Sequence, residues 1–244
     1  MKVILISFVC LFISMQPVLN QNICFGYGPI YTVTNQRAKM VNGRNDFQNT
    51  DDQFLLSYEH FLNHYKLSFM GVLTYYHGHT WIRFPEGSVI APDGFPTTGV
   101  GFNGVNNYRM DFGLVYNLIN KKYSFYVKPY AAIGLQLSKK NEIEFWGDIE
   151  PISGPDYVEL EPITASTSNI MQLVPSLGLK SGFILWKRID VGLTFQGVMG
   201  FKTYQTLYFK YAYKGVPQEI AIFDSKGTGL FCSINVGYLI KKKQ

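Results

Sequence analysis

Charge is scarce in this sequence. Asp, Glu, Lys and Arg make up 16% of its 244 residues, where an ordinary soluble domain carries roughly 25%. A disordered chain combines high charge with low hydrophobicity, and a hydrophobic share of 47% excludes it. Cysteine is nearly absent, with three residues, too few for a disulfide scaffold. After the opening stretch there is no apolar run of about 20 residues, which excludes helical membrane spans there. The formal charge of +5 gathers into no Lys/Arg stripe, so no nucleic-acid partner is expected. What the chain has in quantity is Tyr (17), Phe (19) and Gly (23), a balance that leans towards strands with close approaches and bends.

The opening residues read as a leader. Met1-Lys2 is followed by an apolar core from Val3 to Met15 and a polar exit through Gln16 to Gln21, the layout of a secretory signal peptide. The expected organisation is a signal peptide over 1–21 and one barrel domain over 22–244. Cys24 is not preceded by the small residue that a lipidation motif wants, so no lipid anchor is expected at it.

Period-two alternation runs through the rest, the mark of strands with unlike faces. In 108–118, Tyr108, Met110, Phe112, Leu114, Tyr116 and Leu118 share one face, opposite Arg109, Asp111, Gly113, Val115 and Asn117. Seven more segments read the same way: 23–34, 54–62, 65–76, 123–138, 171–186, 189–204 and 230–240. Their apolar faces contain no Asp, Glu, Lys or Arg. The opposite faces carry Glu59, Lys66, Arg109, Asp111, Lys128, Lys180, Asp190 and Lys202 among Gly, Ser, Thr, Asn and Gln. Connections alternate between tight turns (Asn63-His64, Asn120-Lys121-Lys122, Lys187-Arg188) and long stretches (35–52, 80–105, 140–167, 213–227). An apolar outside, a polar inside and short–long alternation predict a transmembrane antiparallel up-and-down β-barrel of eight strands. A soluble ligand carrier would place these faces the other way round.

The chain resembles the small eight-stranded outer-membrane barrels of Gram-negative bacteria, the OmpA/OmpX-like class. Phe231-Cys232-Ser233-Ile234-Asn235-Val236-Gly237-Tyr238-Leu239-Ile240 is similar to the terminal strand such barrels present to their assembly machinery, although Lys241-Lys242-Lys243-Gln244 follows where the family usually ends on Phe or Tyr. The resemblance implies an outer-membrane location with short periplasmic turns and long extracellular loops. It also implies periplasmic chaperones and barrel-assembly machinery as partners during biogenesis, outer-membrane lipid around the wall, and room for an extracellular or membrane protein partner.

The inward charges Glu59, Lys66, Arg109, Asp111, Lys128, Lys180 and Lys202 are expected to form a structural network filling the lumen. Eight strands enclose only enough space for side chains, and buried ions must pair. Arg109 should pair with Asp111 or Glu59. Large inward Tyr126, Tyr130, Trp186 and Phe231 argue against a narrow pore. His77 and His79 lie two apart on one face, but spacing places no third ligand, so an aromatic belt beside Tyr75 and Trp81 is the expected role. An outer-membrane lipid-modifying enzyme would need a Ser within reach of a His, yet Ser57 and His60 have opposite parity; His64 lies in the turn, and Ser68 is the other nearby serine. The reading is therefore non-enzymatic, with no cofactor.

Glu142, Glu144, Asp148, Glu150, Asp156, Glu159 and Glu161 crowd one loop, the candidate interaction loop. Tyr204 to Tyr213 are expected to rise above the membrane as an exposed aromatic rim. Cys24 should face inward opposite residues near 238 and Cys232 outward, so the two should not be bonded. Pro29, Pro129 and Pro175 fall inside strands and are expected to force bulges.

Overall fold

In a computed structural model, residues 21–38, 46–47, 49–62, 66–84, 98–118, 125–146, 158–160, 164–213 and 215–240 are described; of the expected leader, residues 1–20 lie outside them and Gln21 opens the first strand. Eight long strands form the wall: β1 (Gln21–Ala38), β2 (Asn49–Phe61), β3 (Leu67–Phe84), β4 (Thr98–Tyr116), β5 (Phe125–Trp146), β6 (Ile170–Leu185), β7 (Ile189–Val198) and β8 (Ala221–Ile240). Each pairs antiparallel with the next. β1 closes on β8 from Gln21↔Ile240 upwards. Closure leaves the wall without the open edge that lipid cannot satisfy.

The two faces separate as the alternation requires. Along β6, Met171, Leu173, Leu177 and Phe183 are exposed, whereas Gln172, Val174 and Ser176 are buried. Along β8, Leu230, Ile234 and Val236 point out, and Phe231, Ser233 and Asn235 point in. Apolar area held in water costs roughly 25 cal/mol per Å², so a continuous apolar exterior around a polar interior is stable only with hydrocarbon as solvent. That arrangement is the reverse of a soluble carrier.

Most strands are longer than their alternation. β3 and β4 remain paired through a bulge at His77/His79 as far as Phe84↔Thr98, and β4 and β5 continue past Asn103/Val105 to Gly101↔Trp146. Much of the expected loop 80–105 is therefore ladder. The stretch 35–52 contributes to β1 and β2, and Asp46–Phe47 pairs with Arg83 and Ile82. Val158–Leu160, Tyr211–Tyr213 and Val216–Pro217 form a separate small sheet. Above hydrocarbon nothing demands an apolar outer face, so hydrogen bonding persists while the pattern fades.

One strand is shorter than expected. β7 ends at Val198, and the chain resumes as Gln205–Phe209, paired with β8 and with Thr164–Thr167. The intervening segment is fastened by side chains. Gln172 Oε1 accepts from the amides of Phe201 and Lys202, both at 2.8 Å, and its Nε2 donates to Lys226 O at 3.0 Å. Gly200 N donates to Thr228 Oγ1 (3.0 Å), which in turn donates to Gly200 O (3.1 Å). A Cβ on Gly200 would overlap the carbonyl of Lys226.

None of the three prolines produces the expected bulge. Register runs unshifted through Pro29↔Asp52, Pro129↔Leu179 and Pro175↔Ile133. At Pro175 the missing donor coincides with the end of the β6–β7 ladder: its carbonyl accepts from Met199 N at 3.1 Å, and Val198↔Ser176 is the last pair. The shifts occur elsewhere, at Thr32/Thr34 and Gln36/Ala38 of β1 and at the two sites named above.

Candidate functional site

The lumen is filled from both ends by residues that the alternation turns inward. Ile30, Tyr76, Val174, Val198 and Phe231 form one buried apolar cluster, and Met70, Val72, Val115, Tyr130 and Ala132 a second. Between and below them lie the charges. Arg109 and Asp111, two apart on β4, face the same way and are 2% and 0% exposed. Arg109 Nε donates to Asp111 Oδ2 at 2.9 Å and Nη2 to Gln196 Oε1 at 2.7 Å. Gln196 Nε2 donates to Ser176 Oγ at 2.9 Å, and the guanidinium sits 4.5 Å from the centroid of Phe231. Of the two partners expected for Arg109, Asp111 is the one in contact.

Glu59 belongs to another pair. Lys128 Nζ donates to both of its carboxylate oxygens, at 3.0 and 3.1 Å, and lies 4.6 Å from the ring centroids of Phe61 and Tyr126. A third buried acid, Asp190, accepts from Tyr126 Oη at 2.7 Å and from Asn22 Nδ2. Lys180 is half-buried, 5.9 Å from the Tyr130 ring. Gln196 and Tyr126 carry the network as much as the ions do. The signal for them was their inward parity, the same signal that singled out the charges.

Two expected members stand outside the lumen. Lys66 has inward parity but precedes β3 and lies below the last layer of the wall, so it is exposed. Lys202 falls in the break after β7, is likewise exposed, and its Nζ donates to Met171 O at 3.2 Å. Trp186 is also a correction: it occupies the β6–β7 turn and is 81% exposed. The aromatic rim is corrected too. Tyr204, Leu207 and Phe209 are at most 1% exposed, and Phe209 meets Phe223 edge-to-face at 5.5 Å.

The candidate loop is only partly described. Glu142 is exposed near the top of β5, Glu144 pairs with Asn103, and Glu159 pairs with Ala212 in the small sheet. Asp148, Glu150, Asp156 and Glu161 lie outside the described residues. On the outer face His77 Nε2 bonds to Tyr75 Oη at 3.0 Å, and Tyr75 and Tyr108 rings are 5.2 Å apart. His60 is partnered by Tyr58 Oη at 3.3 Å, and Ser57 is buried on the opposite face. Cys24 is buried, opposite Gly237, and both Cys24 and Cys232 are free thiols.

No protein-family profile matches the sequence, and no curated protein sequence matches it. Among solved structures the chain is similar to the outer membrane protein OprG from Pseudomonas aeruginosa, with 10% identity, 92% of this chain and 97% of that one covered, and a TM-score of 0.45. It is also similar to Ail, the attachment invasion locus protein of Yersinia pestis, crystallised with the heparin analogue sucrose octasulfate (12% identity, 91% and 99% covered, TM-score 0.37). The outer membrane protease OmpT from Escherichia coli is similar at 8% identity, with 92% and 98% covered and a TM-score of 0.37. These likenesses concern shape and carry nothing about activity. What the chain's own geometry establishes is a closed, eight-stranded antiparallel barrel with a lipid-facing exterior and a side-chain-filled lumen, the architecture of a small outer-membrane barrel.

Proposed function

We propose that this barrel is a non-enzymatic outer-membrane protein that works through its outer end, as an adhesive or partner-binding platform. The observation that carries the reading is the continuation of the β3–β4–β5 ladder beyond the apolar belt, to Phe84↔Thr98 and Gly101↔Trp146. A ladder above hydrocarbon adds nothing to membrane crossing, which needs about 9–11 residues per strand. It does provide a rigid backbone surface on which loops can be held, and rigid elements position contact residues better than free loops. The acidic residues between Glu142 and Glu161 give that end a charge suited to basic partners. The filled lumen speaks against a transport role: a path through the barrel would have to displace Arg109, Asp111, Gln196 and the cluster around Tyr76 and Phe231.

The test is to replace 85–97 and, separately, 147–157 by tight turns in the full-length protein. Both variants should insert and keep the heat-dependent gel shift of a closed barrel. Attachment of expressing cells to a panel of host-matrix and cell surfaces should fall in at least one variant. Unchanged attachment in both, or ion conductance by the purified barrel in planar bilayers, would remove this reading.

A further inference from the structure

The two ends of the barrel differ in charge, and the platform reading uses only the acidic loop end. Of the 17 acidic residues, Glu59, Asp111 and Asp190 face the lumen, and every other one falls in a stretch on the loop side. The turn side has none: 60–66, 112–127, 183–189 and 233–244 contain no Asp or Glu. The same stretches hold Lys66, Lys187 and Arg188, all exposed, together with Lys121, Lys122 and the lysines of 241–243. Cations without a compensating acid nearby in sequence give that end a positive field.

The field has a structured centre at the β6–β7 turn. Trp186 and Lys187 both have left-handed backbone, with φ of 46° and 62°. They are the central pair of a β-turn closed by Arg188 N donating to Leu185 O at 3.0 Å, and a turn of this hand ordinarily selects Asn-Gly. Here the positions are filled by a bulky aromatic and a cation, residues that the turn itself disfavours. Both side chains are exposed, Trp186 at 81%. Next to them Arg188 Nη1 donates to Tyr238 Oη at 2.7 Å, with the guanidinium 5.9 Å from that ring's centroid. Leu239 N donates to Arg188 O at 2.7 Å, so β8 ends beside this turn. Trp and Tyr settle at the boundary between hydrocarbon and headgroups, and here they fix the level at which the cations sit. An arginine held against a ring has lost part of its freedom before any ligand arrives, and its remaining N–H groups match the oxygens of a phosphate.

We propose that Trp186, Lys187, Arg188 and Tyr238 form a binding site for the phosphate headgroup of an anionic phospholipid in the leaflet at the turn end. The left-handed Trp186 is then the consequence of a turn selected for what it presents to the membrane rather than for backbone ease. The occupant is a lipid because the cations sit directly below an apolar, exposed wall (Leu185, Ile240) and beside interfacial aromatics. A soluble acidic partner has no use for that wall.

The experiment uses the full mature barrel in nanodiscs containing mixed phosphatidylglycerol and phosphatidylcholine, with retained lipids counted by native mass spectrometry. Wild type should retain phosphatidylglycerol in preference. Juxtamembrane cations are each worth about fivefold in binding anionic lipid, so the K187Q/R188Q double variant should lose roughly 25-fold of the preference. Trp186→Asn tolerates the left-handed turn and should fold as wild type, shown by its gel shift, yet hold phosphatidylglycerol more weakly. Equal retention of the two lipids by wild type, or an undiminished preference in K187Q/R188Q, overturns the proposal. Two competitions decide the source of the anion. Displacement of phosphatidylglycerol by inorganic phosphate would make this a free-anion site, and displacement by soluble polyglutamate a protein-docking site; either overturns the lipid assignment. Retention against both supports it.

Discussion

The sulfur of Cys24 occupies the space that Gly237 leaves by having no side chain. The two residues are directly opposed across the β1–β8 seam, and a Cβ at 237 would overlap Cys24 Sγ and approach the Ile23 carbonyl at 2.7 Å. Gly237→Ala should therefore destabilise closure by about 1–3 kcal/mol, the usual cost of overpacking, read as a lower midpoint for loss of the heat-dependent gel shift. Cys24→Ala combined with G237A should recover part of that loss, because it vacates the contested volume.

Arg109→Leu should cost about 3–5 kcal/mol, since it leaves Asp111 buried without its counter-charge. The same change with Asp111→Asn should restore most of the stability, as both ions are then gone. Denaturant titration in micelles measures both variants. Neither should alter attachment at the outer end.

Gln172→Ala should free the segment after β7 without opening the barrel. It removes three hydrogen bonds, to Phe201 N, Lys202 N and Lys226 O, each worth about 0.5–1.5 kcal/mol net. Limited proteolysis should then cut near Met199–Lys202, while the closed-barrel gel shift persists. Intact protein under conditions that cleave other exposed loops would show that Gly200 and Thr228 suffice.

The two thiols should respond to different reagents. Cys232 points towards lipid and is half-exposed, whereas Cys24 is buried in the lumen. A membrane-partitioning maleimide should label Cys232 in the folded protein, and a membrane-impermeant one should label neither. Both should react after boiling in detergent. Mass spectrometry without reductant should find no bond between them.

The strands were legible because hydrocarbon imposes a strict rule on every second residue, and Met171, Leu173 and Leu177 obey it as plainly in sequence as in the wall. Their upper limits were not, because that rule stops where the hydrocarbon stops. Parity correctly turned Arg109, Lys128 and Gln196 inward, but parity has no height. Lys66 lies below the wall and Lys202 beyond the end of a strand, so both escaped the lumen that their parity assigned them. The Arg109–Asp111 pair could be read from two positions on one strand. The Glu59–Lys128 pair bridges β2 and β5 across the interior, a proximity that only closure creates. The break after Val198 depends on Gln172 of the neighbouring strand, and no local signal in 189–204 marks it.

Because Gln21 is paired with Ile240, the last strand to leave the ribosome is the one that the first strand has been waiting for. No N-terminal fragment can complete its own perimeter, and contacts joining the far ends of a sequence form slowly. The chain must therefore be delivered whole and kept from aggregating until then. Once formed, the wall has no memory of where synthesis began: its two ends emerge side by side at the turn end. A circular permutant that joins them through a short linker and opens the chain between Phe84 and Thr98 should build the same cylinder.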